Sequence, residues 1–265
     1  MLPLLRADLS SVRAVFTDVD GTLTTRGALT SSTLRAIEWL AGHRVQVVLV
    51  SGRPSGWGEC WARQLPVAGV IVENGGVTYV KRGGEVHKRY AEAERVRGAN
   101  RAVLERHVAA ALAAVKGAQL SMDSAATEVD LAIDYAEQSS LGPRGADRIE
   151  AFLRARGVTA VRSSVHVNCW LGPFDKRTAV EQFLSREWRT RLGPKERRFA
   201  YVGDSFNDQP LFQAFPLSIG VANVKSVLDE LEHRPKFVTR AAEGKGFGEV
   251  ADAIARARRA KKGAS

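Results

Sequence analysis

The sequence predicts a doubly wound parallel α/β sheet interrupted by an inserted α+β domain, itself an antiparallel sheet with two helices. Three observations lead there. Apolar runs of strand length alternate with stretches of helical spacing over residues 1–76, and the same alternation resumes after 173. Between 77 and 172 the rhythm changes to pairs of short strands separated by helices. Finally, Asp18, Ser51 and Asp204 each come directly after a predicted strand of the first kind, and the carboxyl ends of parallel strands form the binding rim of such sheets.

Taken in order, Val12, Val15 and Phe16 read as a buried strand that stops at Gly21. Thr30–Ser32 offer helix N-caps, Leu34, Ile37, Leu40 and Ala41 follow at helical spacing, and Gly42 ends that helix. The run V-Q-V-V-L-V at 45–50 is nearly continuous, as a central strand covered on both faces requires. A helix carrying Trp57, Trp61 and Leu65 comes next, then a strand at 70–72 and the turn Glu73-Asn74-Gly75-Gly76. In the insertion, strands are expected at 77–80 and 85–90 around Arg82-Gly83-Gly84, then a helix with Leu104, Val108, Leu112 and Val115 on one stripe. Strands at 120–122 and 128–135, a helix with Ile149, Phe152 and Leu153, and strands at 158–161 and 165–170 complete it. A helix at 176–189, a strand at 199–203, a helix at 208–215, a strand at 217–221, a helix from Lys225, a strand at 237–239 and a helix from Gly248 close the chain. The expected division is therefore a core of 1–76 and 173–258, an insertion of 77–172 and a basic tail of 259–265.

The 265 residues are 45% hydrophobic and 26% charged, the balance of an ordinary globular protein with room for a large core. The longest apolar run, at 45–50, is far too short to cross a bilayer, and the first eleven residues carry Arg6 and Asp8 in place of an apolar leader. Cys60 and Cys169 stand far apart without metal-type spacing and are expected as unpaired buried thiols, which fits a cytoplasmic protein. The five histidines form no zinc-type cluster. A formal charge of +10 raises nucleic acid as a partner, but the basic residues are scattered and only R-A-R-R-A-K-K at 256–262 is dense. No aromatic–basic interleaving supports nucleic-acid binding, so none is expected, nor is a membrane partner. A monomer or homodimer is expected.

One stretch carries the chemistry. In V-F-T-D-V-D-G-T-L-T at 15–24, Asp18 and Asp20 point to opposite sides of an extended chain unless the strand is already breaking into its loop. Alone, the pair reads equally well as an acidic turn, Ser51 as a turn residue, Lys176 as a solvated helix start, and Asp204 and Asp208 as helix caps. Together they describe something else. Asp18/Asp20, Ser51 and Asp204 end on one rim of the sheet, and Lys176 at the start of a helix reaches the same place.

Those segments, T-D-V-D-G-T-L-T, S-G-R, a lone lysine after the insertion and G-D-S-F-N-D at 203–208, resemble the four ordered motifs of haloacid dehalogenase-like phosphatases. The insertion lies between the serine and lysine motifs, and its strand-pair/helix alternation resembles the cap of subclass IIB, which includes sugar-phosphate phosphatases and phosphomannomutases. The resemblance spans residues 15 to about 255. It implies a Rossmann-like core under a cap, and hydrolysis of a small phosphorylated metabolite, a sugar or glycerate phosphate, with Mg2+. It further implies Asp18 as nucleophile, Asp20 as general acid–base, and Asp18, Asp204 and the Asp20 backbone carbonyl as metal ligands. Ser51, Gly52, Lys176 and Asn207 hold the phosphate, and Asp208 supports Lys176 or the metal shell. A phosphomutase shares this cap class and remains open as an alternative, as does a basic nucleic-acid-binding protein on an inactive phosphatase fold.

Residues of the insertion are expected to read the leaving group. In 165–170, His166, Asn168 and Trp170 share the face opposite Val165, Val167 and Cys169. In 128–135, Glu128, Asp130 and Asp134 oppose Val129, Leu131 and Ile133. If the cap helices cover the apolar face, these polar residues close over the substrate. Trp57, Trp61 and Trp188 are expected to be packing residues.

Overall fold

The computed structural model describes residues 1–263. Strand β1 (Leu2–Pro3), β2 (Ala14–Thr17) and a small hairpin, β3 (Thr24–Thr25) with β4 (Ala28–Leu29), precede helix α1 (Ser31–Gly42). Thr30 caps α1 by accepting the Thr33 N–H. Next come β5 (Gln46–Val50), α2 (Ser55–Gln64), β6 (Gly69–Val72), β7 (Val77–Arg82) and β8 (Glu85–Tyr90). The insertion contributes α3 (Glu94–Ala114), β9 (Gln119–Leu120), β10 (Leu131–Asp134), α4 (Gly142–Arg154), β11 (Thr159–Arg162) and β12 (His166–Trp170). The chain closes with α5 (Lys176–Trp188), β13 (Phe199–Gly203), α6 (Gln209–Ala214), β14 (Leu217–Gly220), β15 (Phe237–Val238) and α7 (Glu243–Gly263).

Nine strands form one sheet in the order β1-β15-β14-β13-β2-β5-β6-β7-β8, parallel from β1 to β6 and antiparallel over its last two pairings. Alternate side chains of its central strands enter opposite layers. Val15, Val47, Leu49 and Val202 pack with Ile37 and Leu40 of α1 and Phe247, Val250 and Ile254 of α7. Phe16, Val48, Val50 and Tyr201 pack with Val180, Phe183 and Leu184 of α5 and Phe212 of α6. This double cover is why 45–50 has no polar face. A second, antiparallel sheet, β11-β12-β10-β9, packs Leu131, Ile133, Val167 and Cys169 against Leu104 and Val108 of α3 and Ile149 and Leu153 of α4.

Several boundaries differ from the sequence expectation. The hairpin β7–β8, expected inside the insertion, extends the core sheet: β7 pairs with β6 over Gly69↔Val80 to Val72↔Val77. By sheet membership the insertion begins near 91 rather than 77. A hairpin's alternation says that two strands pair with each other, and says nothing of which sheet edge they join. The helix expected from Lys225 is a pair of 3-10 turns, Ala222–Ser226 and Leu228–Glu230, where Ser226 Oγ donates to the Asn223 carbonyl and competes with helical bonding. The helix expected at 208–215 is a 3-10 turn, Phe206–Asp208, followed by α6, with Pro210 in the first turn of α6. The expected strand at 128–135 narrows to β10. Helix α7 starts at Glu243, ahead of Gly248, and continues through 259–263 of the expected tail; residues 264–265 lie outside the described residues. Cys60 is exposed and only Cys169 is buried; neither forms a disulfide. Among the described residues no helix is long and apolar enough to cross a membrane.

Candidate active site

The strand β2 breaks one residue before it is needed as a scaffold. Asp18 N–H still donates to the Val202 carbonyl in sheet fashion, but Thr22, Leu23 and Thr24 N–H all turn back to the Val19 carbonyl. The chain therefore folds over at Asp20-Gly21, and Asp18 and Asp20 are released from the opposed directions of a regular strand. Gly21 has φ +75°, and a Cβ there would lie 2.5 Å from Asp204 Oδ2, so this position needs glycine for both reasons.

Around Asp18 the core assembles a buried charge cluster. Lys176 Nζ donates to Asp18 Oδ1 at 2.7 Å and to Asp208 Oδ1 at 2.8 Å. Lys176 opens α5 directly after Asp175, which caps the helix through the Thr178 N–H. Asp208 is fully engaged: Oδ1 also accepts from Tyr201 Oη at 2.5 Å, and Oδ2 accepts from the Asp204 and Ser205 N–H groups at 2.9 and 3.1 Å. Asp204 accepts from Thr22 Oγ1 at 3.0 Å and Asn223 Nδ2 at 2.8 Å. Carboxylate oxygens of Asp18, Asp204 and Asp208 lie within 4.8 Å of one another.

Burial dominates the electrostatics of these groups. It pushes Asp18 up to about 8, against the pull of Lys176, with Asp208 and Asp20 adding repulsion. Asp204 is likewise raised, by burial first and then by Asp18 and Asp208. Burial also works against the Lys176 ammonium, but Asp18 and Asp208 overcome it and hold the group above its ordinary value. Three buried carboxylates around one ammonium leave an excess of negative charge, and the donors are hard oxygens. That set fits a hard divalent cation such as magnesium. Asp208, which accepts at least two hydrogen bonds on each oxygen, belongs to the scaffold of the cluster; Asp18 and Asp204, less fully engaged, are the carboxylates with lone pairs left for such an ion. The Asp20 side chain is not among them. It faces away, toward Arg53.

A pocket of about 20 Å3 opens above Asp18, lined by Asp20, Ser51, Gly52 and Asn207 from the core. Ser51 follows β5, is buried, and accepts the Arg53 N–H on Oγ at 3.1 Å, which leaves its hydroxyl hydrogen free to donate. The Asn207 Oδ1 accepts from Ser205 Oγ at 2.8 Å. The structure thus brings Asp18, Asp20, Ser51, Gly52 and Asn207 to one cavity, with Lys176, Asp204 and Asp208 beneath it.

The roof belongs to the insertion. The helices α3 and α4 cover the apolar face of its sheet, and the opposite face carries His166 and Asn168 into the pocket, both buried. The Asn168 Nδ2 has no hydrogen-bond partner; His166 Nε2 lies 2.9 Å from Glu137 Oε2 without hydrogen-bond alignment. The other polar residues of that face do structural work. Asp134 accepts four backbone N–H groups from residues 136–139, Glu128 bonds Lys88 and Tyr90, and Asp130 accepts from Asn74 Nδ2 at 2.9 Å. Trp170 Nε1 donates to the Phe174 carbonyl and its ring stacks on Phe174, so it packs rather than reaching the pocket. Trp61 and Trp188 pack into the core as expected, whereas Trp57 is 44% exposed and lies 5.4 Å from the Arg53 guanidinium.

Sequence reasoning missed three participants. Arg53 donates to both oxygens of Asp20 and reaches across to the insertion. Asn223, directly after β14 on the same rim, bridges the Gly21 carbonyl and Asp204. The Glu73 carboxylate, at the turn after β6, accepts the backbone N–H groups of Ser55, Glu128, Val129 and Asp130 and so ties core to insertion. A polar residue just past a strand end was the available signal for Asn223; S-G-R was the signal for Arg53.

The comparisons agree with this architecture. A family model of haloacid dehalogenase-like hydrolases matches residues 15–141. A phosphoglycolate phosphatase of Archaeoglobus fulgidus is 28% identical over 247 residues, covering 90% of this chain and 95% of that protein. Among solved structures, a Thermoplasma acidophilum protein superposes with a TM-score of 0.69 at 20% identity, over 92% of this chain and 98% of that one. The sucrose-phosphatase of Synechocystis, solved with sucrose and phosphate, does so with a TM-score of 0.63 at 16% identity, over 93% and 98%. With its motifs gathered on one rim under an inserted antiparallel sheet, the chain is similar to the haloacid dehalogenase-like hydrolases, whose family model matches it over residues 15–141.

Proposed function

We propose that the protein is a magnesium-dependent phosphomonoester hydrolase that acts on a small phosphorylated metabolite of the sugar, glycolate or glycerate type, through a phosphoryl group carried on Asp18. The observation that carries this reading is the buried Asp18, held at 2.7 Å by Lys176 beside Asp204 and opening onto a pocket ringed by polar groups. The named activities of the Archaeoglobus and Synechocystis relatives support the substrate class.

In this reading Asp18 and Asp204, with the Asp20 backbone carbonyl, hold the magnesium ion. When bound, the ion offsets the negative charge of the phosphate and so admits an anionic nucleophile. The Asp18 carboxylate attacks phosphorus in line, and the ester P–O bond breaks. Asp20 gives its proton to the departing alkoxide, and then takes a proton from the water that attacks the aspartyl phosphate. The P–O bond to Asp18 breaks, inorganic phosphate leaves, and both carboxyl groups return to their starting states. Ser51, the Gly52 N–H, Lys176 and Asn207 hold the equatorial oxygens as charge spreads over them. Asp208 acts through Lys176 and through the backbone of 204–205. His166 and Asn168 hydrogen-bond the leaving group.

The test is phosphate release from a panel of phosphorylated sugars, glycolate, glycerates and nucleotides, with magnesium and with chelator, beside Asp18→Asn. Magnesium-dependent release that vanishes in a folded Asp18→Asn variant is the expected result. Full activity in that variant, or in chelator, overturns the reading. Turnover that requires a sugar bisphosphate and returns no inorganic phosphate replaces hydrolysis with phosphoryl transfer between sugars.

A further inference from the structure

Arg53 lines the pocket beside Gly52, in the loop between β5 and α2, and its guanidinium is the junction of four chain segments. Nε and Nη2 bind Asp20 Oδ2 and Oδ1 at 2.9 and 3.0 Å, a two-point grip on the carboxylate. Nη1 binds Asp123 Oδ2 at 3.2 Å, in the turn after β9, and Nη2 binds Glu137 Oε1 at 2.6 Å, in the loop after β10. Both of those acids belong to the insertion. The Arg53 side chain is only 11% exposed, so these are not solvent-averaged surface pairs.

The insertion also builds the two acids into fixed places. Asp134 gathers four backbone N–H groups of 136–139 and thereby shapes the loop that carries Glu137. The Ser121 hydroxyl holds Asp123. Neither Asp123 nor Glu137 is hydrogen-bonded to Asp20; they reach it through Arg53.

The pocket is small and roofed by the insertion. About 20 Å3 holds little more than one water, so a phosphate ester enters only when the insertion swings away from the core. That motion strips Arg53 of two of its three carboxylate partners while leaving Asp20 beside it on the core. A guanidinium is a rigid planar fork. With Nη1 and the second hydrogen of Nη2 committed to the cap, the edge formed by Nε and Nη2 is presented to Asp20 in one orientation. Without the cap acids the fork is free to turn, and the carboxylate it grips turns with it.

We propose that Arg53 is a positioning residue that couples closure of the cap to the aim of Asp20, so that the proton donor is set in place only when Asp123 and Glu137 have docked. This rests on the reading of Asp20 as general acid–base. The coupling keeps proton transfer for the closed state, in which bulk water is excluded.

A positioning role and a merely structural tie separate by leaving group. Loss of general acid catalysis slows expulsion of a basic leaving group far more than that of an acidic one. The experiment compares kcat and KM for p-nitrophenyl phosphate and phenyl phosphate, esters of similar size, in wild type, Arg53→Lys, Asp20→Asn and the isosteric cap-side pair Asp123→Asn/Glu137→Gln. The informative ratio is kcat/KM, which reports expulsion of the leaving group and not hydrolysis of the aspartyl phosphate common to both esters. For phenyl phosphate we expect kcat/KM to fall about thirtyfold in Arg53→Lys and in the cap-side pair, part of the roughly 100- to 10,000-fold that general acid catalysis contributes, and for p-nitrophenyl phosphate less than about threefold. Combining Arg53→Lys with the cap-side pair is expected to add little, because both break one chain of contacts. Equal losses for the two esters, or a cap-side pair that matches wild type, overturn the coupling. Asp20→Asn is the control: if it shows no leaving-group dependence, the general acid reading itself fails, whatever Arg53 does. Arg53→Lys risks unfolding at a buried site, and the cap-side pair, which conserves shape and leaves Arg53 in place, decides the question in that case.

Discussion

Replacing Lys176 with methionine tests the buried charge cluster on which the site is built. Lys176 is only 2% exposed and makes two contacts, 2.7 Å to Asp18 and 2.8 Å to Asp208. At the effective dielectric of protein interiors each contact is worth about 6 kcal/mol before desolvation, most of which desolvation cancels. Methionine fills the volume but leaves Asp208 buried without its ammonium partner, and breaking such a pair typically costs about 3–5 kcal/mol. Asp18, which burial already pushes up to about 8, holds its proton at neutral pH and so loses less with Lys176. We therefore expect the lower end, about 3 kcal/mol, for metal-free Lys176→Met in urea unfolding followed by tryptophan fluorescence. The sign of the pH dependence follows. Without Lys176 the Asp18 carboxyl keeps its proton to higher pH than in the wild type, so the penalty grows as pH rises through about 8. A loss below about 1 kcal/mol, or one that does not change with pH, refutes the idea that Lys176 neutralises buried carboxylates.

Four further outcomes follow from the same geometry. In chelator, the raised Asp18 contributes stability that is fully present below its ordinary value and lost as pH rises through about 8, so the melting temperature falls over that interval. Magnesium favours the ionised carboxylates, so its stabilisation grows with pH; a magnesium shift that is flat with pH contradicts a site on Asp18 and Asp204. Gly21→Ala forces a side chain into φ +75° and within 2.5 Å of Asp204 Oδ2, at a conformational cost of about 1–2 kcal/mol, and magnesium titration of the variant reads out a weakened site. His166→Ala with Asn168→Ala removes two pocket groups each worth about 1 kcal/mol in hydrogen bonding, so KM for the best substrate rises about thirtyfold with little change in kcat. Unchanged KM would assign His166 and Asn168 to the scaffold of the roof.

The parts of this molecule that were legible in the sequence share one property: their signal is local. The run at 45–50 has no polar face because α1 and α5 cover both sides of β5, and that shows in six consecutive residues. Asp18, Ser51 and Asp204 stand at strand ends, so knowing the strands places them on one rim. What escaped depends on long-range pairing. Whether β7–β8 joins the core sheet or the insertion rests on its register with β6, which no property of residues 77–90 encodes. Arg53 looks like an ordinary loop arginine until the fold brings residues 20, 123 and 137 to it. Asp130 and Asp134 alternate correctly with their apolar neighbours, yet one meets Asn74 and the other the loop at 136–139, and alternation alone does not separate them from His166 and Asn168. Asn223 lies between the expected strand at 217–221 and the helix expected from Lys225, and only the fold brings its side chain to the Gly21 carbonyl and Asp204.

The central claim is that the phosphoryl group passes through Asp18. The most direct measurement is an acid quench during turnover of p-nitrophenyl phosphate with magnesium, followed by borohydride reduction and mass spectrometry of the peptide containing residues 15–24. An acyl phosphate is reduced by borohydride to the alcohol, whereas a free carboxylate is not, so conversion of Asp18 to homoserine marks the site. The account predicts that conversion at Asp18 alone, larger in Asp20→Asn because hydrolysis of the aspartyl phosphate slows, and none in chelator. Active enzyme quenched under the same conditions with Asp18 unmodified, or with the label on another carboxylate, contradicts it.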